Sequence, residues 1–389
     1  MPDETDIVNG EAQRVGIKSA DTSLITHTVK GHNSILNADL PTHVDAFKKV
    51  IQLIFKAHEN DKDIYFDCIA HRYVNSGEHF SGTSRIFPED LEKLQETFDI
   101  TPLHGPIIFE VIKFCSEEYR DIPQFILPDN GFHSNIPTKY STYALPVDLI
   151  KKHHIKRMGY HGISHQYVMQ EACKFLNREA QTLKIISCHL GTGGSSVCAI
   201  QYGKSVNSSM GFTPLEGLMM NTRSGDIDAG MIFNVMYNNG LSATDAETIL
   251  NKKSGVLSIF KESSDLRDAV KGRDKNPNAK MALEMYVRRI KKYIGNYMIQ
   301  LKKTDVLIFT DTLGVGTPAI RNAVCEGLEY FGIRIDKHLN KDYQSGIADI
   351  SMAGSEVKVL IVPNNEELMI AREVFKKMSS CKESKNILS

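Results

Sequence analysis

No charge of either sign dominates this chain. Its 46 Lys and Arg stand against 47 Asp and Glu, a formal net charge of -1 over 389 residues. Without a basic surplus, nothing points to nucleic acid or to an anionic membrane as a partner. Long apolar runs are missing too: none approaches the roughly 20 residues that cross a bilayer. The seven cysteines stand singly, with no C-x-x-C pair, and the polar start MPDETDIVNG is unlike a signal peptide, so free, mostly packed thiols in a reducing cytoplasm are expected. No G-x-x-x-x-G-K-[ST] loop, no G-x-S-x-G elbow and no zinc spacing of His and Cys occurs. Walker-type nucleotide binding, serine hydrolysis and metallohydrolysis therefore lack support.

What is present is the alternation of an α/β protein, in a chain long enough for two domains. The feature the rest is organised around is Lys184 to Ile200, KIISCHLGTGGSSVCAI. Two β-prone runs flank Gly191-Thr192-Gly193-Gly194, which predicts a hairpin with a glycine turn. Such a turn is suited to an anion such as phosphate, because glycines admit close approach to exposed N–H groups and Thr192, Ser195 and Ser196 add hydroxyls. On its own a glycine hairpin is more often only a turn. Upstream, the periodicity predicts a strand near Ser23 to Val29, a loop through Gly31-His32-Asn33, and a helix after Pro41-Thr42 with Val44, Phe47, Val50, Ile51 and Ile54 on one face. Further strands are expected at Ile64 to Ala70 and Gln124 to Leu127, and helices from Pro88, over Ile107 to Tyr119 and over Ser164 to Leu176. Downstream, DVLIFT (Asp305 to Thr310) reads as a buried strand leading into a glycine loop, Asp311 to Gly316. Lys358 to Val362 is the last strand. A final helix after Asn364 or Asn365 carries Leu368, Ala371 and Phe375 on one face, and the tail from Cys381 reads as frayed.

Several residues could carry chemistry. Arg72 and Arg223 stand in the glycine-flanked segments HRYVNSG and NTRSGDID, each predicted as a loop or strand end. Guanidinium forks grip carboxylate or phosphate at two points, so a convergent pair suits a substrate with several anionic oxygens; surface ion pairs are the plainer alternative. Asp129 follows an apolar strand, where it is either a turn residue or a carboxylate orienting a metal or nucleophile. His104, His161 and His189 occupy strand-end or loop contexts, as structural histidines or as groups that stabilise transferring charge. Glu366 and Glu367 sit in the first turn of the last helix, where the helix dipole alone favours acids.

Taken in order, HRYVNSGEHF, ITPLHGP, LPDNGFHSNIP, RMGYHGISHQYV, CHLGTGGSS, GKSVNSSMGFTPLEGLMMNTRSGDID, NKKSGVL, SSDLRD and VPNNEELMIARE resemble the acetate kinase family from Arg14 to Phe375. That family belongs to the acetate and sugar kinase, Hsp70 and actin superfamily. The resemblance implies a two-domain actin-like ATPase (ribonuclease H-like) fold with the active site in the interdomain cleft. Residues 1–131 plus 364–389 would form the first domain and 132–363 the second. It also implies a cytoplasmic homodimer, Mg²⁺ or Mn²⁺ as cofactor, and acetate, acetyl phosphate and a phosphoryl partner as substrates. Carried over by position, Arg72 and Arg223 grip the acetate carboxylate and the phosphoryl group, Asp129 is the catalytic aspartate, and His161 steadies the transition state. His104, His189 and the turn Gly191, Thr192, Gly193 and Gly194 support phosphate. Val74, Leu103, Tyr160 and Pro214 line the methyl pocket, where the family usually has Phe at the position of Tyr160, and Glu366 is the magnesium-associated glutamate.

Two departures from the family pattern matter. The family opens with a strand and an Asn-x-Gly-Ser-Ser-Ser loop, whereas IVNGEAQRVGI here aligns with a later strand. Roughly the first two strands are therefore expected to be missing, better explained by a misplaced start than by a family member that works without them. A relic that binds acetyl phosphate without turning it over is the reading from a different class. The second departure is the adenosine pocket. Where the family has Gly-Ile-Gly-Glu-Asn, this chain has Thr312-Leu313-Gly314-Val315-Gly316, preceded by Asp311 in place of alanine. Together with Thr192 in place of the common Asn, this resembles the pyrophosphate-using branch of acetate kinases. Phosphate and pyrophosphate are thus expected as partners ahead of ADP and ATP.

Overall fold

A computed structural model describes residues 3–17, 23–29, 31–57, 65–80, 82–101 and 105–386, with side chains through 380. The chain divides into two compact units, Met1–Gly131 with Glu367–Ser389, and Phe132–Glu366.

In the first unit, strands β1 (Val8–Gln13), β2 (Leu24–Val29) and β3 (His32–Asn37) form an antiparallel sheet in that order. The loop expected through His32 and Asn33 is instead the start of β3. Val29 pairs with His32 across a tight turn in which Gly31 takes φ +81, so the chain reverses sooner than its polarity suggested. Helix α1 (His43–Ala57) starts where Thr42 Oγ1 accepts the Asp45 N–H at 3.1 Å, as the Pro41-Thr42 signal predicted.

A second sheet contains β4 (Ile69–Tyr73), β5 (Ser84–Ile86) and, after helices α2 (Leu91–Gln95) and α3 (Gly105–Glu118), β6 (Gln124–Pro128). Its order is β4-β6-β5, with β4 and β6 parallel. The expected strand from Ile64 begins only at Ile69, residue 64 itself lying outside the described residues. It runs on to Tyr73, so Arg72 sits within the strand and not in a loop. The cause is pairing with the buried β6, whose register carries Arg72 opposite Leu127 and Tyr73 opposite Pro128. Tyr73, Ile86, Leu94, Phe109, Ile112 and Ile126 form the core beneath.

The second unit begins with short helices α4 (Thr138–Ser141) and α5 (Val147–Lys152), followed by the long α6 (Gly162–Leu176). The predicted hairpin is present: β7 (Lys184–Leu190) pairs antiparallel with β8 (Ser195–Gln201), Leu190 opposite Ser195, and β9 (Lys204–Ser208) follows. Helices α7 (Ala229–Asn239), α8 (Ala243–Lys252), α9 (Gly255–Phe260), α10 (Leu266–Gly272) and α11 (Pro277–Leu301) come next. Strand β10 (Val306–Thr310), helices α12 (Asp311–Gly316), α13 (Pro318–Cys325) and α14 (Lys337–Asp342), and strands β11 (Ala348–Asp349) and β12 (Lys358–Ile361) complete the unit. The sheet order is β11-β12-β10-β7-β8-β9, with β12, β10 and β7 parallel. Helix α11, capped by the Asn276 side chain, lays Ala282, Tyr286, Ile290 and Ile294 against β7 and β8.

Three local expectations need correction. Asp311 to Gly316 is a short helix, not a loop. The Arg321 guanidinium, wholly buried, donates to the carbonyls of Gly314 at 2.8 Å and Val315 at 2.6 Å, which supplies partners for the carbonyls at the helix C-terminus. The final helix α15 (Glu366–Asn386) continues through most of the tail expected to fray. Its buried positions are Met369 and Val374, while Phe375 is 48% exposed. Helical spacing restricts the apolar side chains to adjacent lines, but the neighbouring elements select which line is covered.

Candidate active site

Parallel strands deliver their carboxyl ends to one edge of a sheet, where α/β proteins hold ligands. In the second unit those ends are His189 on β7 and Thr310 on β10, which lie opposite each other. The glycine turn continues from β7. Within it the Gly191 N–H donates to the Gly194 carbonyl at 3.0 Å, and the Thr192 N–H donates to Thr312 Oγ1 at 3.0 Å. The N–H groups of Gly193 and Gly194 have no protein acceptor among the described residues. Two free donors on a glycine turn form an anion-binding concavity.

Two predicted side chains frame it. A Cβ placed on Gly194 would lie 3.3 Å from the His161 ring and 3.7 Å from Arg223 Nη1. His161 precedes α6 with φ +77, a left-handed backbone uncommon for a residue with a side chain. Its Nδ1 is 2.9 Å from Ser196 Oγ, and its ring lies 4.1 Å, centroid to centroid, from that of His189. Ser196 Oγ is also 2.9 Å from Nε2 of His165, whose Nδ1 meets Ser187 Oγ at 2.9 Å. Burial holds His165 well below the ordinary histidine value of 6.5, so it is a neutral ring with one donor and one acceptor. The Ser187–His165–Ser196–His161 chain thereby fixes the orientation of His161. His165 was missed by sequence reasoning, although its place within the helix predicted over Ser164 to Leu176, four residues after His161, was visible.

Arg223 is half-buried and has no carboxylate partner among the described residues. Its Nη1 reaches only the Pro214 carbonyl at 3.5 Å and Met220 Sδ at 3.7 Å. Burial pulls its pKa down, the mark of a cation short of compensation. Nothing in this arrangement resembles a surface ion pair.

The loop carrying Pro214 and Arg223 is tied down by charges that sequence reasoning also missed. Arg157 donates to the carbonyls of Ser208 at 3.0 Å and Met210 at 3.1 Å and pairs with Glu216 at 2.5 Å. Glu216 also accepts from the Tyr143 hydroxyl. Asp226 accepts the Gly217 N–H at 2.8 Å and bonds Tyr293 at 3.0 Å. Arg157, Glu216 and Asp226 stand within segments that carry the resemblance, but their partners lie mostly in other segments, so the pairing is not visible in the sequence. Tyr160, 2% exposed, donates to the Phe212 carbonyl at 2.8 Å, which ties it to the segment that carries Pro214.

Asp311 and Thr312 lie beside the same turn. Asp311 takes φ +64, and its Oδ2 is 2.9 Å from His189 Nε2. Ser164 Oγ meets the other nitrogen of that ring at 2.8 Å. Leu313 and Gly314 are buried beneath. Farther along, the Asn364 amide donates to Glu366 at 3.2 Å, while the buried Asn364 Oδ1 has no partner. A carboxylate beside an unsatisfied amide oxygen is a hard-oxygen donor set that suits Mg²⁺, which takes few protein ligands and completes its shell with water and phosphate. No cluster of three His, Cys, Asp or Glu able to hold a metal occurs among the described residues.

The first unit holds the other predicted residues. Arg72 and Asp129 form a two-point pair, Nε to Oδ1 at 3.0 Å and Nη2 to Oδ2 at 2.7 Å. Asp129 is nearly buried and its N–H donates to the Tyr73 carbonyl, while Arg72 is 45% exposed. Asn130 bonds the buried Asn75 at 3.0 Å and leaves its own buried Oδ1 without a partner. Val74, next to Arg72, is half-buried. Leu103 and His104 lie outside the described residues.

Against known proteins, residues 2–372 match the model of a family described as the acetokinase family. An acetate kinase of Thermoanaerobacterium thermosaccharolyticum is 40% identical over 97% of this chain and 94% of its own length. A crystal structure of Porphyromonas gingivalis acetate kinase superposes with a TM-score of 0.87 at 35% identity, covering 95% of this chain and 93% of that one. A propionate kinase from Francisella tularensis superposes at 0.86 and 33% identity, over 95% and 92%. No helix among the described residues is long and apolar enough to cross a membrane.

Proposed function

This chain belongs to the acetokinase family with the actin-like ATPase fold, and from that premise we propose that it is an acetate kinase transferring a phosphoryl group between acetyl phosphate and an inorganic phosphate partner. The observation that carries the reading is the anion site of the second unit: the N–H groups of Gly193 and Gly194, unpaired among the described residues, framed by His161 and by an Arg223 guanidinium with no carboxylate partner among them. Phosphoryl transfer to a carboxylate needs little covalent help and much positive, preorganised charge. Arg223 and the turn donors hold the phosphoryl oxygens, and His161, fixed through Ser196, donates to the oxygen on which charge develops. In the first unit Arg72, oriented by Asp129, is the group suited to the acetate carboxylate, with Val74 offered to the methyl; in the second unit Tyr160 and Pro214 are the apolar groups offered to it. Glu366 and Asn364 would hold Mg²⁺, which when bound neutralises phosphoryl charge.

The preference for phosphate over ADP is supported by Asp311 and Thr312. By the resemblance they replace small residues that leave room for a base, and Thr312 bonds the turn while Asp311 bonds His189. The test is a side-by-side rate measurement from acetyl phosphate with Mg²⁺ and either phosphate or ADP. Faster reaction with phosphate is expected; a clear ADP preference overturns the donor assignment, and no reaction with either overturns the enzyme reading. A second reading, propionate as the acid, has the Francisella structure in its favour; a series of acids of increasing chain length separates the two. The family reading also carries a homodimer, for which the exposed Phe233 and Tyr237 on α7 offer apolar surface. A monomer mass in light scattering at micromolar concentration would rule that out.

A further inference from the structure

Four N–H groups line the glycine turn, and side-chain placement decides how many can meet a ligand. Gly191 spends its N–H on Gly194, and Thr192 spends its own on Thr312 Oγ1 at 3.0 Å. Thr312 is exposed, so no burial requirement forces that bond. It is set by Asp311, whose left-handed backbone turns its carboxylate toward β7. There Oδ2 meets His189 Nε2 at 2.9 Å and Oδ1 accepts the Thr312 N–H at 2.6 Å. The carboxylate is seated against the turn itself: a Cβ on Gly191 would overlap Oδ2. A side chain held in a costly backbone conformation persists where surrounding contacts over-determine it, and here those contacts include the histidine beside the turn and the N–H of Thr312, which in turn bonds the turn.

We infer that Asp311 and Thr312 are positioning residues that pin the glycine turn, withdrawing the Thr192 N–H from the ligand and leaving the Gly193 and Gly194 donors spaced for one terminal phosphoryl group. The two residues thus do more than fill the space of a base. The same pinning keeps His189 stacked on His161, so the turn and the histidine pair are held as one unit. This inference rests on the reading that the turn holds the phosphoryl group, and it goes further in naming what shapes the site.

The decisive variant is Thr312→Val, which keeps the shape of threonine and removes the acceptor. A residue that acted only as a steric wall would tolerate this change. As a pin, its loss frees the turn, and KM for phosphate should rise about tenfold, the equivalent of one hydrogen bond, while the thermal midpoint stays near that of the wild type. Thr312→Ser, which restores the acceptor, should recover most of the loss. Asp311→Asn should raise KM for phosphate in the same direction. Direct calorimetric titration of the wild type with phosphate separates the two levels of argument. If the wild type does not bind phosphate, the functional reading fails. If it binds and Thr312→Val binds equally well, the functional reading stands and the pinning inference is overturned.

Discussion

Replacing Arg223 with alanine should move stability and activity in opposite directions. The guanidinium is half-buried, touches only a carbonyl at 3.5 Å and a thioether sulfur at 3.7 Å, and faces no carboxylate among the described residues. An uncompensated charge away from bulk water costs on the order of 1–3 kcal/mol. Truncation to alanine relieves that cost and gives up roughly 1 kcal/mol of packing by the aliphatic stem. In the absence of anion the variant should therefore match or exceed the wild type in thermal midpoint. Added phosphate reverses the order. At a hundred times its dissociation constant, phosphate stabilises the wild type by about 2.7 kcal/mol, a rise of roughly 5–10 °C at the about 2–4 °C per kcal/mol of a domain this size. The variant should gain almost nothing and show no measurable transfer. Differential scanning calorimetry across a phosphate titration reads both effects. A variant that is several degrees less stable without anion, or that keeps the phosphate-induced rise, would refute the claim that Arg223 is held uncompensated for a ligand.

Two further predictions follow from the same unit. Burial lowers the pKa of His133 from 6.5 to about 4, so the unfolded chain binds a proton that the folded one refuses. Its contribution is therefore complete above pH 6.5 and is lost as pH falls toward 4. The loss amounts to about 2 kcal/mol by pH 5, and His165 acts in the same direction. Urea midpoints that do not fall between pH 7 and pH 5 would contradict this. Gly194→Ala places a Cβ 3.3 Å from the His161 ring and should raise KM for the phosphoryl acceptor at least tenfold, with a thermal midpoint within a few degrees of the wild type; an unchanged KM would remove Gly194 from the site.

Much of the site is legible locally because its chemistry is carried by short contiguous motifs. A glycine turn between two β-prone runs predicts β7, β8 and their register, since alternation and turn length leave little choice. Histidines and arginines in polar, glycine-flanked segments mark places where backbone meets ligand, and His161, His189 and Arg223 do surround the turn. Less legible are the residues whose role depends on distant partners. His165 reads as an ordinary helix residue until Ser196 of β8 lies between it and His161. Arg157, Glu216 and Asp226 lie within segments that carry the resemblance, but nothing in those segments names their partners, and it is they that hold the segment presenting Arg223. Arg321, close by in sequence but buried only in the folded chain, fills the carbonyls of Gly314 and Val315 at the end of α12, where a glycine loop was expected.

By itself, then, the sequence determined the α/β alternation and the hairpin, which follow from periodicity and residue type within a few positions, and it carried, in the order of its motifs, the resemblance to the family. The tertiary structure alone decided which donors remain free for a ligand. The sequence places Thr192 in a turn suited to an anion, and the fold shows that its N–H is taken by Thr312 of α12, 120 residues away. Hydrogen-bond capacity is finite, and only the folded chain shows where each donor is spent.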